Sequence, residues 1–310
     1  MKTIKFLIAF ILALALISAL PLFSVYIARP DAKIEKNEAV AEKLKRLEGD
    51  RFAFIVMGDS RPGMILNNAS TLKLIQSINQ EGRFGDKISI DSVFLTGDNV
   101  FHGKLAHYKM YARLFSGLKF PVIAAIGNHD CDNDGLKYFK EYMGATRIAF
   151  ASRNSFFITL DDNEGEFPDE QFEWFQEELK KGANYSHRFV FMHKPPFNPY
   201  HHSWFRIETT PWTRRFMKLC EDYKVDIVFL GHEHMFKELE FRGVRYVVTA
   251  GGGILTTIPA ADGGYLHYCL VHVNGPYISY EVRRVKPPFW IYISYYLWKD
   301  LFYTLKGFFV

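Results

Sequence analysis

The sequence predicts an α/β protein, a four-layer α/β/β/α sandwich of two mixed sheets flanked by helices, with an N-terminal transmembrane segment ahead of it. Three observations predict this. Five short runs rich in Val, Ile, Phe and Leu (FAFIVMGDSR, SVFLTGDNV, PVIAAIGNHD, RFVFMHKPPF and DIVFLGHEH) read as strands buried on both faces, and each ends in acidic, amide or imidazole side chains. Segments with apolar residues at helical spacing lie between them. Beyond residue 235, shorter segments alternate with the period of two expected of half-buried strands.

In chain order, residues 1–28 hold an apolar run, Phe6 to Ile27, preceded by Lys2 and Lys5 and close to the roughly 20 residues that span a bilayer. No small-x-small cleavage site closes it, because Ser18-Ala19-Leu20-Pro21 leads into further apolar residues, so an uncleaved signal-anchor is favoured over a long signal peptide. Residues 29–50 are a charged, helix-prone spacer. Residues 51–285 carry every motif and form the catalytic domain. Within it, Asn68 to Gln80, Lys104 to Gly117, Asp169 to Lys181 and Pro211 to Tyr223 read as helices, several with Asn, Asp or Thr near the start. Phe236 to Phe241, Val244 to Ala250, Leu266 to Val273 and Ile278 to Arg284 read as strands. Gly251-Gly252-Gly253 lacks the spacing of a nucleotide-cradling loop and reads as a tight turn. Residues 286–310 form a tail dense in aromatic and aliphatic side chains, interrupted by Lys299, Asp300 and Lys306. Those charges argue against a simple span, leaving an amphipathic segment in the membrane interface or a helix packed on the core.

Composition limits the partners. With 38 Lys and Arg against 34 Asp and Glu, the net charge of +4 is small and not concentrated in a strip, so nucleic acid is not expected. Membrane lipid is the expected partner besides substrate. Counting Lys2 and Lys5 against Arg29, Lys33, Lys36, Lys43, Lys45 and Arg46 favours a cytoplasmic catalytic domain, whereas the signal-like N-terminus favours the other side. The extracytoplasmic side is preferred. Cys131, Cys220 and Cys269 are too few and too scattered to make a disulfide framework. Cys131, close to a motif, would be oxidation-sensitive if exposed.

Ligands in α/β sheets gather beyond the carboxyl ends of strands. The five endings therefore bring Asp59, Asp98, Asn128, His193, His232 and His234 to one sheet edge, where hard oxygens and borderline imidazole nitrogens make a ligand set for two divalent ions. His232 and His234, two apart on an extended segment, would point the same way, with Glu233 pointing away. Taken singly, each motif reads as a turn or a structural histidine. Their order and spread make the set specific.

On these residues the chain resembles the calcineurin-like metallophosphoesterases, the superfamily that includes purple acid phosphatases. The usual order D-x-H, G-D, G-N-H-D/E, lone His and G-H-x-H reads here as Asp59-Ser60-Arg61, Gly97-Asp98, Gly127-Asn128-His129-Asp130, His193 and Gly231-His232-Glu233-His234. The resemblance implies that Asp98 bridges two ions, that Asn128, His193 and His232 complete the second, and that Asp59 and His234 serve the first. The ions would be manganese, iron, zinc or cobalt. The departure is Arg61, which stands where the family has a metal-binding His and cannot ligate. Arg61 then contacts a substrate phosphate or pairs with a nearby carboxylate, the first being favoured. Phe101 stands where purple acid phosphatases have their iron-binding Tyr, and His102 is a minor candidate for the missing ligand.

The resemblance further implies hydrolysis of a phosphomonoester or phosphodiester by a metal-bridging hydroxide. His129 would protonate the leaving group, and Asp130 would orient or charge-stabilise that imidazole. The proline-rich stretch from Lys194 to Trp204 reads as the substrate wall, with His201 or His202 binding phosphate, or equally as a purely structural loop. Membrane attachment makes a lipid-linked phosphate an expected substrate. Alternatives are a non-catalytic metal-binding scaffold with a degenerate first site, and a nucleotide phosphodiesterase released by signal cleavage.

Overall fold

The computed structural model describes residues 29–81, 88–199, 210–256, 258–289 and 291. Phe6–Ile27, His201, His202 and most of the 286–310 tail lie outside the described residues. Among the described residues no helix is long and apolar enough to cross a membrane.

The elements follow as α1 (Asn37–Leu44), β1 (Arg51–Met57), α2 (Ile65–Ile78), β2 (Ile90–Thr96), α3 (Leu105–Phe115), β3 (Val122–Ala125), α4 (Asn128–Cys131), α5 (Gly135–Tyr142), β4 (Ile148–Ser152), β5 (Ser155–Thr159), α6 (Asp169–Gly182), β6 (His187–Phe191), α7 (Pro211–Asp222), β7 (Ile227–Leu230), β8 (Phe236–Phe241), β9 (Val244–Thr249), β10 (His267–Asn274) and β11 (Tyr277–Arg284). The first sheet has five strands in the order β11-β10-β1-β2-β3, and the second has six in the order β4-β5-β6-β7-β9-β8. In the first, β1, β2 and β3 are parallel, with β10 antiparallel to β1 and β11 to β10. In the second, β5, β6, β7 and β9 are parallel and the edge strands β4 and β8 run against them.

The layering comes from the period of two within the apolar runs. Along β1, Phe52, Phe54 and Val56 face the second sheet, while Ala53, Ile55 and Met57 face the helices. β6 and β7 mirror this, with Phe189, Phe191, Ile227 and Phe229 turned inward and Val190, Val228 and Leu230 turned to the opposite helical layer. The inter-sheet layer is largely phenylalanine: Phe94 stacks on Phe191 at 4.2 Å between centroids, and Phe54 meets Phe189 edge-on at 5.0 Å. α7 shows how the helices start. The side chain of Thr210 accepts from Thr213 N at 3.1 Å, and Pro211 follows where a missing N–H costs nothing.

The expectation of a single sheet edge is corrected here. The motif strands do not share one sheet, since β1, β2 and β3 lie in the first and β6 and β7 in the second; the carboxyl ends of both sheets converge on one site. β4, β5 and α5 went unread, because a hairpin of two five-residue strands and an eight-residue helix are too short to show a period.

Candidate metal centre and active site

Asp59, Asp98, His193 and His232 sit in turns just past strands, and Asn128 opens the short α4 just past β3. Asp59, Arg61, Asp98 and His232 all have left-handed backbones, with φ of 62°, 46°, 51° and 70°. For non-glycine residues this costs about 1–3 kcal/mol each and persists only where neighbours enforce it. Here Asp59 N donates to Gly97 O at 3.0 Å, Arg61 N to Asp98 O at 3.1 Å, and Ile254 N to Asp59 O at 3.1 Å. The glycine run supplies the last of these clamps, with Gly252 N also bonded to Gly58 O at 2.7 Å. Gly127 is required by close approach: a Cβ there would lie 2.2 Å from Asp98 N.

The turns aim acceptors at acceptors. His193 is fully buried and donates Nδ1–H to Thr96 O at 2.9 Å, so its Nε2 carries a lone pair. Burial pushes its pKa down to about 4, keeping it neutral as a metal ligand must be. That Nε2 lies 3.3 Å from Asp98 Oδ1, 3.1 Å from Asn128 Oδ1 and 3.2 Å from His232 Nδ1, and the last is 3.1 Å from Asn128 Oδ1. Ligands bound at about 2.1 Å to one ion are spaced by roughly 3.0–3.4 Å, so this spacing fits a shared cation, and in its absence His232 Nδ1–H can donate to Asn128 Oδ1 or to His193 Nε2.

The second group is looser. Asp59 is completely buried, its Oδ2 accepts from His232 N at 3.0 Å, and its Oδ1 has no hydrogen-bond partner. His234 Nε2 stands 3.4 Å from that orphaned oxygen. Burial works to lower the His234 pKa, but the Asp59 carboxylate outweighs it and the ring is raised above its ordinary value. Asp59, Asp98 and His193 offer ligand atoms within 4.8 Å of one another. The donor set fits divalent cations, with Asp59 Oδ1 and His234 on one side of Asp98 and Asn128, His193 and His232 on the other.

His129 borders this centre through its backbone N, which donates to Asp98 Oδ1 at 2.9 Å, and its Nε2 lies 4.0 Å from Asp98 Oδ2. Arg61, only 8% exposed, lies over the Phe101 ring and places Nη2 2.8 Å from His129 Nδ1. Among the described residues Arg61 pairs with an imidazole rather than with a carboxylate. Burial lowers the His129 pKa, as does the Arg61 charge, against the opposing pull of Asp98 and Asp132.

Asp130 does not orient His129. Its side chain is buried and accepts from Asn99 Nδ2 at 2.8 Å, Gly127 N at 2.8 Å and Val100 N at 3.0 Å, bracing the motif loops. The carboxylate beside the imidazole is Asp132, whose Oδ2 is 3.3 Å from His129 Nδ1 and 2.8 Å from His102 Nδ1. His102 is therefore turned to Asp132 and does not replace the missing ligand. His129, His102 and Asp132 form a cluster that the motif pattern missed, the only signal being an aspartate two past Asp130. The geometry of the final motif also differs from expectation, because His232 and His234 lie in a turn between β7 and β8 rather than on a strand. Cys131 is half-buried and its thiol is pushed up to about 12 by burial, so it stays protonated and unreactive at neutral pH. His267 is a buried core histidine, with Nδ1 2.9 Å from Tyr265 O.

A family model described as calcineurin-like phosphoesterase matches residues 52–236, more than half of the chain. A probable cyclic nucleotide phosphodiesterase of Rhodopseudomonas palustris is 23% identical over 170 residues, covering 51% of this chain and 62% of that protein, which is less than two thirds of its length. Among solved structures, GAP50, described as the anchor in the inner membrane complex of Plasmodium, matches with a TM-score of 0.59 at 14% identity, over 76% of this chain and 85% of its own. Purple acid phosphatase PPD1 from yellow lupin (Lupinus luteus) seeds matches with a TM-score of 0.58 at 15% identity, over 76% of this chain and 52% of its own. At such identities the likeness is one of fold.

Proposed function

Because the chain belongs to the calcineurin-like phosphoesterase family, we propose that it is a membrane-anchored, metal-dependent phosphoric ester hydrolase. The supporting observation is the convergence of Asp98 Oδ1, Asn128 Oδ1, His193 Nε2 and His232 Nδ1 within 3.1–3.3 Å, next to the half-buried imidazole of His129. Asp59, Asp98 and His234 would hold one divalent cation and Asp98, Asn128, His193 and His232 the other. Two such ions, when bound, supply Lewis acidity that activates water and offsets phosphate charge.

The chain's own residues do the rest. His129 delivers a proton to the leaving oxygen, and its Nε2 is the nitrogen on the Asp98 side. The ring that gives this proton is the imidazolium, whose Nδ1–H has Phe101 O at 3.1 Å and Asp132 Oδ2 at 3.3 Å as acceptors, while Arg61 brings a permanent positive charge to a site short of one protein ligand. Asp130 keeps the Asn128-His129 turn in place through its three accepted bonds. His201 and His202 remain proposed phosphate contacts from sequence alone, and the apolar run Phe6–Ile27 carries the anchoring reading.

The test is hydrolysis of paired aryl phosphate monoester and diester substrates by the full chain in detergent, with manganese, zinc or no metal, alongside Asp98→Asn. Metal-dependent turnover that Asp98→Asn abolishes is the expected result and ranks the ester preference. Stoichiometric metal binding without turnover on either ester would favour the scaffold reading instead.

A further inference from the structure

We infer that the catalytic mouth opens on the end of the fold opposite the N-terminal attachment, so that the substrate is a water-soluble phosphate ester rather than a phospholipid in the anchoring bilayer. This rests on the phosphoesterase reading and on the anchoring role of Phe6–Ile27.

The two ends are fixed by α2 and α3. Both helices begin beside the site: Gly63 N, two residues past Arg61, donates to Asn68 Oδ1 at 2.8 Å, and Lys104 N bonds to the carbonyl of His102, whose ring reaches Asp132. Both end together at the far side, where Asn79 Nδ2, just past α2, donates to Gly117 O, just past α3, at 2.8 Å. At 1.5 Å per residue, α3 carries the chain about 16 Å and α2 about 21 Å away from the metal centre. Arg29, the first described residue, lies at that far end, with Nη1 3.4 Å from both Ser116 Oγ and Arg113 O. Ile27 is only two residues earlier, and two residues span at most about 7 Å. A bilayer that holds the apolar run therefore meets the fold first at this end, with the site about 16–21 Å away along the helix axes.

The 286–310 tail departs from the other end, because Arg284 pairs with His267, the site-side residue of β10. A membrane contact made by the tail would turn the mouth towards lipid, so the two attachments make opposite predictions.

The experiment places one fluorophore on the full chain in a Cys131→Ser background, at Lys119→Cys beside Asn79 or at Asp134→Cys, in vesicles of phosphatidylcholine and phosphatidylglycerol with a headgroup nitroxide lipid. The expected result is strong quenching at position 119 and little at 134. Stronger quenching at 134 would overturn the placement, and quenching at neither would overturn the anchor on which it rests. In the same vesicles with manganese, dihexanoyl phosphatidic acid free in solution should be hydrolysed at least tenfold faster than dioleoyl phosphatidic acid held in the bilayer. Equal rates would overturn the substrate class. Loss of both with the quenching pattern intact would instead sink the phosphoesterase reading.

Discussion

Arg61 sets its Nη2 2.8 Å from Nδ1 of His129, so a group that can only donate faces a ring nitrogen that must accept. The neutral imidazole consequently keeps its proton on Nε2, 4.0 Å from Asp98 Oδ2. If Nδ1 is protonated instead, Phe101 O at 3.1 Å and Asp132 Oδ2 at 3.3 Å are the acceptors in reach. Arg61 and Asp132 thus favour opposite protonation states of one ring.

Arg61→Met should move the basic limb of the kcat profile to higher pH. The Arg61 charge is one of the causes that depress His129, after burial, so its removal lets the ring hold its proton longer. Without the guanidinium to hydrogen-bond a substrate phosphate, kcat/KM should also fall by about tenfold to a hundredfold. A pH–rate series on the variant and the parent reads both effects.

The two neighbouring carboxylates should separate cleanly. Asp132→Asn removes a charge that raises the His129 pKa, so the basic limb moves to lower pH while folding is little altered. Asp130→Asn sets an amide among three donors; with its oxygen kept where Oδ2 accepts from Asn99 Nδ2 and Gly127 N, its NH2 faces the N–H of Val100, which should cost about 1–3 kcal/mol of stability. Urea unfolding beside the pH–rate profile shows which variant affects which property.

Removing divalent cations should destabilise the folded chain, because His193 Nε2 and Asp98 Oδ1, 3.3 Å apart, and the unpartnered Asp59 Oδ1 lose their counter-charge. At a hundredfold excess of ion over its dissociation constant, restoring it returns about 2.7 kcal/mol per site. A thermal melt with chelator and with added manganese measures this, and in Asp98→Asn the gap should shrink.

His267 should make folding acid-sensitive. Burial pushes its pKa from 6.5 down to about 4, so its contribution is present above 6.5 and is lost as pH falls from there through 4. The full shift corresponds to about 3 kcal/mol. Since Asn does not titrate, the stability gap between the parent and His267→Asn should narrow by about that amount between pH 6.5 and 4.

Much of this site was legible in the sequence because each ligand candidate directly follows an apolar strand, and the strand-end rule needs no knowledge of which sheet a strand joins. The rule could therefore bring His193 and Asp98 together without revealing that they belong to different sheets. What it misses depends on turn geometry. The left-handed backbones of Asp59, Asp98 and His232 leave no periodic trace, so His232 and His234 were expected to share a face by strand alternation. Asp130, adjacent to His129 in sequence, turns inward to Asn99, while Asp132 comes round to the imidazole from the far side of the short α4. The helices were read to within a few residues, since their apolar faces repeat over three or four turns.

The central claim is that His129 protonates a leaving group at a metal-loaded centre. The most direct measurement compares kcat/KM of the parent and His129→Ala, both with manganese, on an alkyl phosphate and on p-nitrophenyl phosphate. A general acid contributes about 10²–10⁴-fold where the leaving group is poor and little where it leaves unaided. The account predicts a loss in that range for the alkyl ester and at least tenfold less for the aryl ester. Equal losses on both would contradict it.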